Sequence, residues 1–170
     1  GNVGMFGMSY FAIVQNLVAA KNPPALKAIF APFAYTDMYR DRYYHGGILS
    51  HGFMKMWLPT LSNPRLAPLL RDEIGDEKFE ELMEAARSDE DLQAVPFLKQ
   101  ALDDPLDEKF ALIAEIIAQP LDNDYYETRS LNYNEKPAVP AYLGCCWGLP
   151  ALHLPGAFRS FENWAGPKCL

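Results

Sequence analysis

With 170 residues, 49% of them hydrophobic, the chain has the length of one ordinary domain and enough apolar content to bury a core. A formal charge of -7, from 22 acidic against 15 basic residues, excludes a nucleic-acid surface, because phosphate binding needs clustered Lys and Arg. No apolar run approaches the roughly 20 residues of a membrane helix, and no basic segment followed by an apolar one opens the chain as a signal peptide would. These features predict a soluble, cytoplasmic protein without membrane or nucleic-acid partners. The chain opens on Gly1 rather than Met, so a preceding segment, with any targeting signal, is expected to be missing.

Residues Val3 to Phe6 read as a short buried strand. After Ser9 the apolar positions Ile13, Val14, Leu17 and Val18 recur at helical spacing until Asn22-Pro23-Pro24 stops the helix. Leu26 to Ala34, "LKAIFAPFA", is a second compact apolar strand. Strand, sharp turn, helix, strand is a parallel crossover unit, which puts Ser9 at the carboxyl end of a strand, where α/β folds place their chemistry. A serine at such a junction is either a helix cap or a nucleophile.

From about Tyr35 onward strand-forming runs give way to helix formers. In "DEKFEELMEAARS" Phe79, Leu82, Met83 and Ala86 share a face with Asp76 as the expected cap, and "PLDEKFALIAEIIAQP" reads as a helix fenced by Pro105 and Pro120. Tyr39, Tyr43, Tyr44, Phe53 and Trp57 read as core aromatics. Val139 to Cys146 returns to a strand pattern, and the helix-like "GAFRSFENW" follows. The expected organisation is a sheet core over 1–38, a helical cap over 39–129 and the core continued over 130–170.

The three cysteines are too few for a disulfide framework and lack the spacing of a zinc site, so Cys145, Cys146 and Cys169 are expected to be buried, inert thiols. No G-x-G-x-x-G, P-loop or spaced His and Cys set calls for a nucleotide, flavin or metal, and no cofactor is expected.

Gly7-Met8-Ser9-Tyr10-Phe11-Ala12 approximates the nucleophile elbow G-x-S-x-G, with Phe11 at the usual second glycine. The longer stretch "GNVGMFGMSYFAIVQNLVAAKNPPALKAIFAPFAYTDMYRD" resembles the active-serine segment of the cocaine esterase and X-prolyl dipeptidyl-peptidase family of α/β-hydrolases, which runs G-x-V-G-M-x-G-x-S-Y, then L-K-A-I and D-x-Y-R. The later "PLDNDYYETRSLNYNEKPAVPAYLGCCWG" resembles that family's D-x-Y-W-x-x-R-S stretch and its next strand.

The resemblance implies a partial α/β-hydrolase fold with an inserted helical cap, and a serine hydrolase acting on an ester or peptide substrate. Ser9 would be the nucleophile, the Tyr10 backbone N–H an oxyanion donor. Asp37 matches the family's aspartate in D-x-Y-R, either contacting substrate or pairing Arg40 and capping a helix. The family's triad acid lies in G-G-W-Y-D, whereas this sequence reads "GCCWGLPALHLPGAFRSFENW" with no Asp or Glu before Glu162. That form resembles another branch of the family, which makes Trp147 and His153 candidate substrate-site residues. By position His45, His51 and His153 are not the family's base, which is expected after a later strand, beyond Leu170. The chain is therefore read as an incomplete catalytic domain, inactive alone. The alternative is a non-catalytic binding domain that retains the hydrolase scaffold.

Overall fold

The computed structural model describes residues 1–61, 69–148 and 152–170. Residues 62–68 of the expected cap and residues 149–151, between Trp147 and His153, lie outside the described residues. The chain divides into two compact units, Gly1–Ile48 with Asp122–Leu170, and Leu49–Leu121.

The first unit carries a parallel sheet. Strand β1 (Val3–Phe6) leads through helix α1 (Tyr10–Ala20) to β2 (Leu26–Pro32). Much later come β5 (Ala141–Gly144), helix α9 (Leu154–Asn163) and the short β6 (Lys168–Cys169). The sheet order is β1-β2-β5-β6 with every neighbouring pair parallel. β1 and α1 form where the apolar pattern predicts them, but β1 is not the buried strand expected: at the edge of the described sheet, its Val3 and Phe6 are 49 and 86% exposed. β2 ends at Pro32 rather than Ala34, and β6 has no apolar run to announce it.

One face of this sheet is buried. Ile29 and Ala31 of β2, and Ala141 and Leu143 of β5, are at most 6% exposed, and α1 and α9 pack on these strands. The alternate residues form a row across all four strands, in register Phe6, Phe30, Tyr142 and Cys169. Phe6, Phe30 and Tyr142 are 86, 46 and 50% exposed, and the last two rings stack at 5.1 Å. This also overturns the expectation of buried thiols: Cys169 and Cys146 are exposed and Cys145 is half-buried. Cys169 sits on the open face, and Cys146 follows β5 beyond its last inward residue.

Between β2 and β5 the same unit holds a π-helical turn, Met38–Tyr43, and α8 (Asp124–Glu127). Their aromatic side chains form one nucleus, with Tyr39 stacked on Tyr44 at 4.8 Å and edge-on to Tyr126 at 5.0 Å. Burial among these rings raises the hydroxyl pKa of Tyr44 and Tyr126 above the ordinary tyrosine value. Residues 39–48 and 122–129 thus belong to the sheet unit, although the sequence reading assigns the whole of 39–129 to the helical cap. The ribbon of β3 (Tyr44–His45) and β4 (Ile48–Leu49) turns at Gly46 and Gly47, whose φ values of 63° and 84° are those a two-residue hairpin requires.

The second unit is helical: α2 (His51–Trp57), a 3-10 turn Leu58–Leu61, α3 (Leu69–Ile74), α4 (Asp76–Arg87), α5 (Glu90–Ala94), α6 (Pro96–Asp103) and α7 (Ala111–Ala118). Phe79 and Met83 of α4 are buried with Leu98 and Leu102 of α6 and Ile113 and Ile116 of α7. Two expectations change here. Gly75, not Asp76, occupies the N-cap, and Asp76 pairs with Arg71 at 2.6 Å. The run fenced by Pro105 and Pro120 is helical only over Ala111–Ala118, because residues before it form successive turns capped by backbone bonds to Asp104 and Asp107. Trp57, expected in the core, is 46% exposed.

Candidate active site

Ser9 stands between β1 and α1 with φ 58° and ψ -121°, a conformation that L-residues other than glycine rarely adopt. Three contacts hold it there. Its N–H donates to the Pro32 carbonyl at 3.2 Å, and its own carbonyl accepts from Ala12 and Ile13, both at 2.9 Å, starting α1. Although it occupies the N-cap position, its side chain makes no capping hydrogen bond. The hydroxyl is thus left for another partner.

Gly7 explains the local sequence requirement. Its φ is 150°, and a Cβ there would lie 2.7 Å from the Cβ of Phe11. Only glycine lets strand and helix approach so closely. Phe11, at the position where the elbow pattern has its second glycine, is accommodated because its ring turns outward, 70% exposed. The carbonyl of Gly7 accepts from the buried Gln15 side chain at 3.0 Å, which ties the turn to the next helical turn. Tyr10 is the first residue of α1, so its N–H is one of the four that a helix start leaves without an intrahelical acceptor.

The tertiary fold brings His153 to this turn. Its Nε2 lies 3.5 Å from Ser9 Oγ across 144 residues of sequence. The ring is 4% exposed and meets Phe33 edge-on, with centroids 6.2 Å apart. Phe33 itself follows β2 with φ 62°, and its N–H donates to Gly144 at the end of β5. Burial, and then the Arg42 guanidinium, lower the His153 pKa to about 4 against a weaker opposite pull from Asp41, so the ring is neutral at pH 7. Its Nδ1 is buried and has no hydrogen-bond partner among the described residues. Glu162, the first carboxylate after Gly144 in sequence, is exposed on α9 and does not reach it.

The start of α9 is held from behind by Asp41. This fully buried carboxylate accepts from the Thr36 and Asp37 N–H groups at 3.0 Å each and from Arg159 of α9 at 2.7 Å. Sequence reasoning missed it. Its only signal was an aspartate in "YRDRY", indistinguishable there from a surface charge.

Asp37 and Trp147 stand elsewhere. Asp37 caps the π-helical turn, accepting from the Arg40 N–H at 2.7 Å and pairing with its guanidinium at 2.8 Å. It lines a polar cavity of about 360 Å³ with Arg40, Asp122 and Ser130. Trp147 is 80% exposed and borders a smaller apolar cavity of about 200 Å³ with Cys145, Phe158 and Leu170. Among the described residues neither makes a hydrogen bond to Ser9. His45 donates its Nε2–H to the Asp41 carbonyl at 2.8 Å, and His51 opens α2. Among the described residues there is no cluster of ligating side chains for a metal ion, and no helix is long and apolar enough to cross a membrane.

Known proteins resemble this chain in sequence and in fold. Cocaine esterase from Rhodococcus sp. (strain MB1 Bresler) is 43% identical over 58 residues, 34% of this chain and 10% of that protein. Two crystal structures of a CocE/NonD family hydrolase from Staphylococcus aureus match with TM-scores of 0.64 and 0.63 at 24% and 26% identity, over 99% of this chain and 23% of theirs. The chain thus spans well under two thirds of the length of each of these relatives. The model of the X-Pro dipeptidyl-peptidase (S15) family matches residues 1–167, and the chain belongs to that family.

Proposed function

We propose that the chain carries the nucleophile of a serine hydrolase that cleaves an ester bond, or an amide such as that of an X-prolyl dipeptide, through an acyl-enzyme. The observation that carries this reading is the strained Ser9 at the carboxyl end of β1, with its hydroxyl unused as a cap and an imidazole nitrogen 3.5 Å away. Strain of this kind costs about 1–3 kcal/mol and persists where function requires the geometry.

In the proposed reaction Ser9 Oγ forms a bond to the substrate carbonyl carbon while its proton passes to a general base. The π electrons of the carbonyl move to its oxygen, where the Tyr10 N–H donates to the developing charge. Collapse expels the alcohol or amine with a proton, and water then releases the acid from Ser9 by the same steps. The family resemblance assigns the base to a histidine after a later strand. Asp37 and Trp147 border the two cavities and are the proposed contacts to substrate.

A second reading is a binding domain that keeps the scaffold. It draws on one observation: the only histidine beside Ser9 among the described residues has no carboxylate on its Nδ1. Incubating the protein that contains this chain with a fluorophosphonate probe, and locating the label by peptide mass spectrometry, decides between them. Labelling at Ser9 that is absent from Ser9→Ala supports the hydrolase; a folded protein that takes no label at Ser9 supports the binding domain.

A further inference from the structure

We infer that His153 is a positioning residue that donates its Nε2–H to the Ser9 hydroxyl oxygen, rather than the base that removes its proton. This rests on the reading of Ser9 as a nucleophile, and it assigns the buried histidine a task distinct from that of a triad member.

A neutral imidazole carries one N–H and one bare nitrogen, and the surroundings decide which is which. His153 has one nitrogen facing Ser9 Oγ at 3.5 Å and the other buried without a partner among the described residues. If the proton sat on Nδ1, a buried N–H would lack an acceptor, which folded proteins seldom tolerate. With the proton on Nε2, the N–H meets the Ser9 oxygen and only a lone pair is left unused. The second tautomer satisfies the donor.

A general base needs the reverse arrangement. Its bare nitrogen faces the serine while its N–H is anchored to a carboxylate that also stabilises the imidazolium. The charged neighbours of the ring do not supply this. Asp41 is the nearest carboxylate in electrostatic effect, but its two oxygens are taken by Arg159 and by the Thr36 and Asp37 N–H groups. Arg42 opposes a positive ring, and Phe33 presents its ring to the imidazole from the β2 side.

As a donor, His153 engages a lone pair of Oγ and so turns the Ser9 proton away from itself. The same N–H strengthens as Oγ loses that proton and gains negative charge. The 3.5 Å separation is long for a resting hydrogen bond, and such contacts commonly shorten when charge develops.

The first test needs no substrate. With ¹⁵N-histidine in the chain, His153 should appear as the neutral Nε2–H tautomer at pH 7, and Ser9→Ala should shift its Nε2–H proton. An Nδ1–H tautomer, or a cationic ring at pH 7, overturns the assignment whether or not the protein is a hydrolase. The second test compares variants by the rate of fluorophosphonate labelling of Ser9. His153→Gln keeps a side-chain N–H without an imidazole base and should stay within about 10-fold of the parent, whereas His153→Leu should lose about 100-fold, in line with loss of one donor to a reacting oxygen. Equal losses in both folded variants would make His153 the base and overturn the inference. Absence of label in the parent would instead overturn the hydrolase reading and leave the tautomer measurement standing.

Discussion

The fully buried Asp41 carboxylate pairs with the half-buried Arg159 guanidinium, at 2.7 Å and 2.9 Å, and fastens helix α9 to the segment following β2. His153 is the residue directly before α9, so the pair anchors the helix that follows the imidazole. Asp41→Ala removes a carboxylate that also serves two backbone N–H groups, and the Arg159 guanidinium loses its counter-charge. The expected cost is roughly 2 kcal/mol, since the Thr36 and Asp37 N–H groups lose their acceptor while the half-buried Arg159 is partly rehydrated. Chemical denaturation checks it, and a loss below about 0.5 kcal/mol would show that the pair is not structural.

Gly156 permits the same approach by its lack of a side chain. A Cβ there would lie 2.8 Å from both the Ala34 carbonyl oxygen and the Tyr35 Cα, and 2.9 Å from Asp41 Oδ2. These are backbone atoms and an ion-paired carboxylate, none free to step aside. Gly156→Ala should destabilise by about 1–3 kcal/mol despite alanine's higher helix propensity. A gain in thermal stability would mean that α9 can shift without cost.

Burial of His153 makes stability depend on pH with a definite sign. Burial and Arg42 lower its folded pKa to about 4 from the ordinary 6.5, so between these values the unfolded chain binds a proton that the folded chain refuses. Stability from this group is full above pH 6.5, falls as pH drops toward about 4, and is level below. The slope approaches 1.4 kcal/mol per pH unit and the total is roughly 3 kcal/mol. Denaturation of the parent and of His153→Gln at pH 7 and pH 4.5 should differ by most of that amount; parallel losses would place the titration elsewhere.

The exposed row of Phe6, Phe30 and Tyr142 should bind an apolar fluorescent dye in the isolated chain. Parallel strands ordinarily carry cover on both faces, and three large rings in register make a continuous apolar strip on the face that α1 and α9 leave open. Phe6→Ser with Tyr142→Ser should reduce dye fluorescence several-fold without loss of helical circular dichroism. Undiminished fluorescence would move the exposed apolar surface to another face.

What was legible in the sequence was local. The short apolar run Val3 to Phe6, the helical spacing after Ser9, and the Gly7 required by the tight turn depend on neighbours a few residues apart, so short-range patterns carry them. The short β6 has two residues and no pattern to find. The helix expected from Pro105 begins only at Ala111, because aspartates at 104 and 107 favour turns over helix. Cysteine composition suggested buried thiols, but burial follows the face a strand turns inward, which only pairing register decides.

The sequence by itself determined the elbow, since backbone conformation at Gly7 and Ser9 follows from steric limits within one turn. It also determined the family, through motifs spread over both ends of the chain. Only the tertiary structure decided that His153, read by position as no base and a minor candidate, would stand beside Ser9. That contact spans 144 residues, and it exists because β1, β2 and β5 align their carboxyl ends while Asp41, Arg159 and Gly156 draw α9 against them. The proton location on its ring is likewise a tertiary property, because burial and the absence of an Nδ1 partner among the described residues decide it.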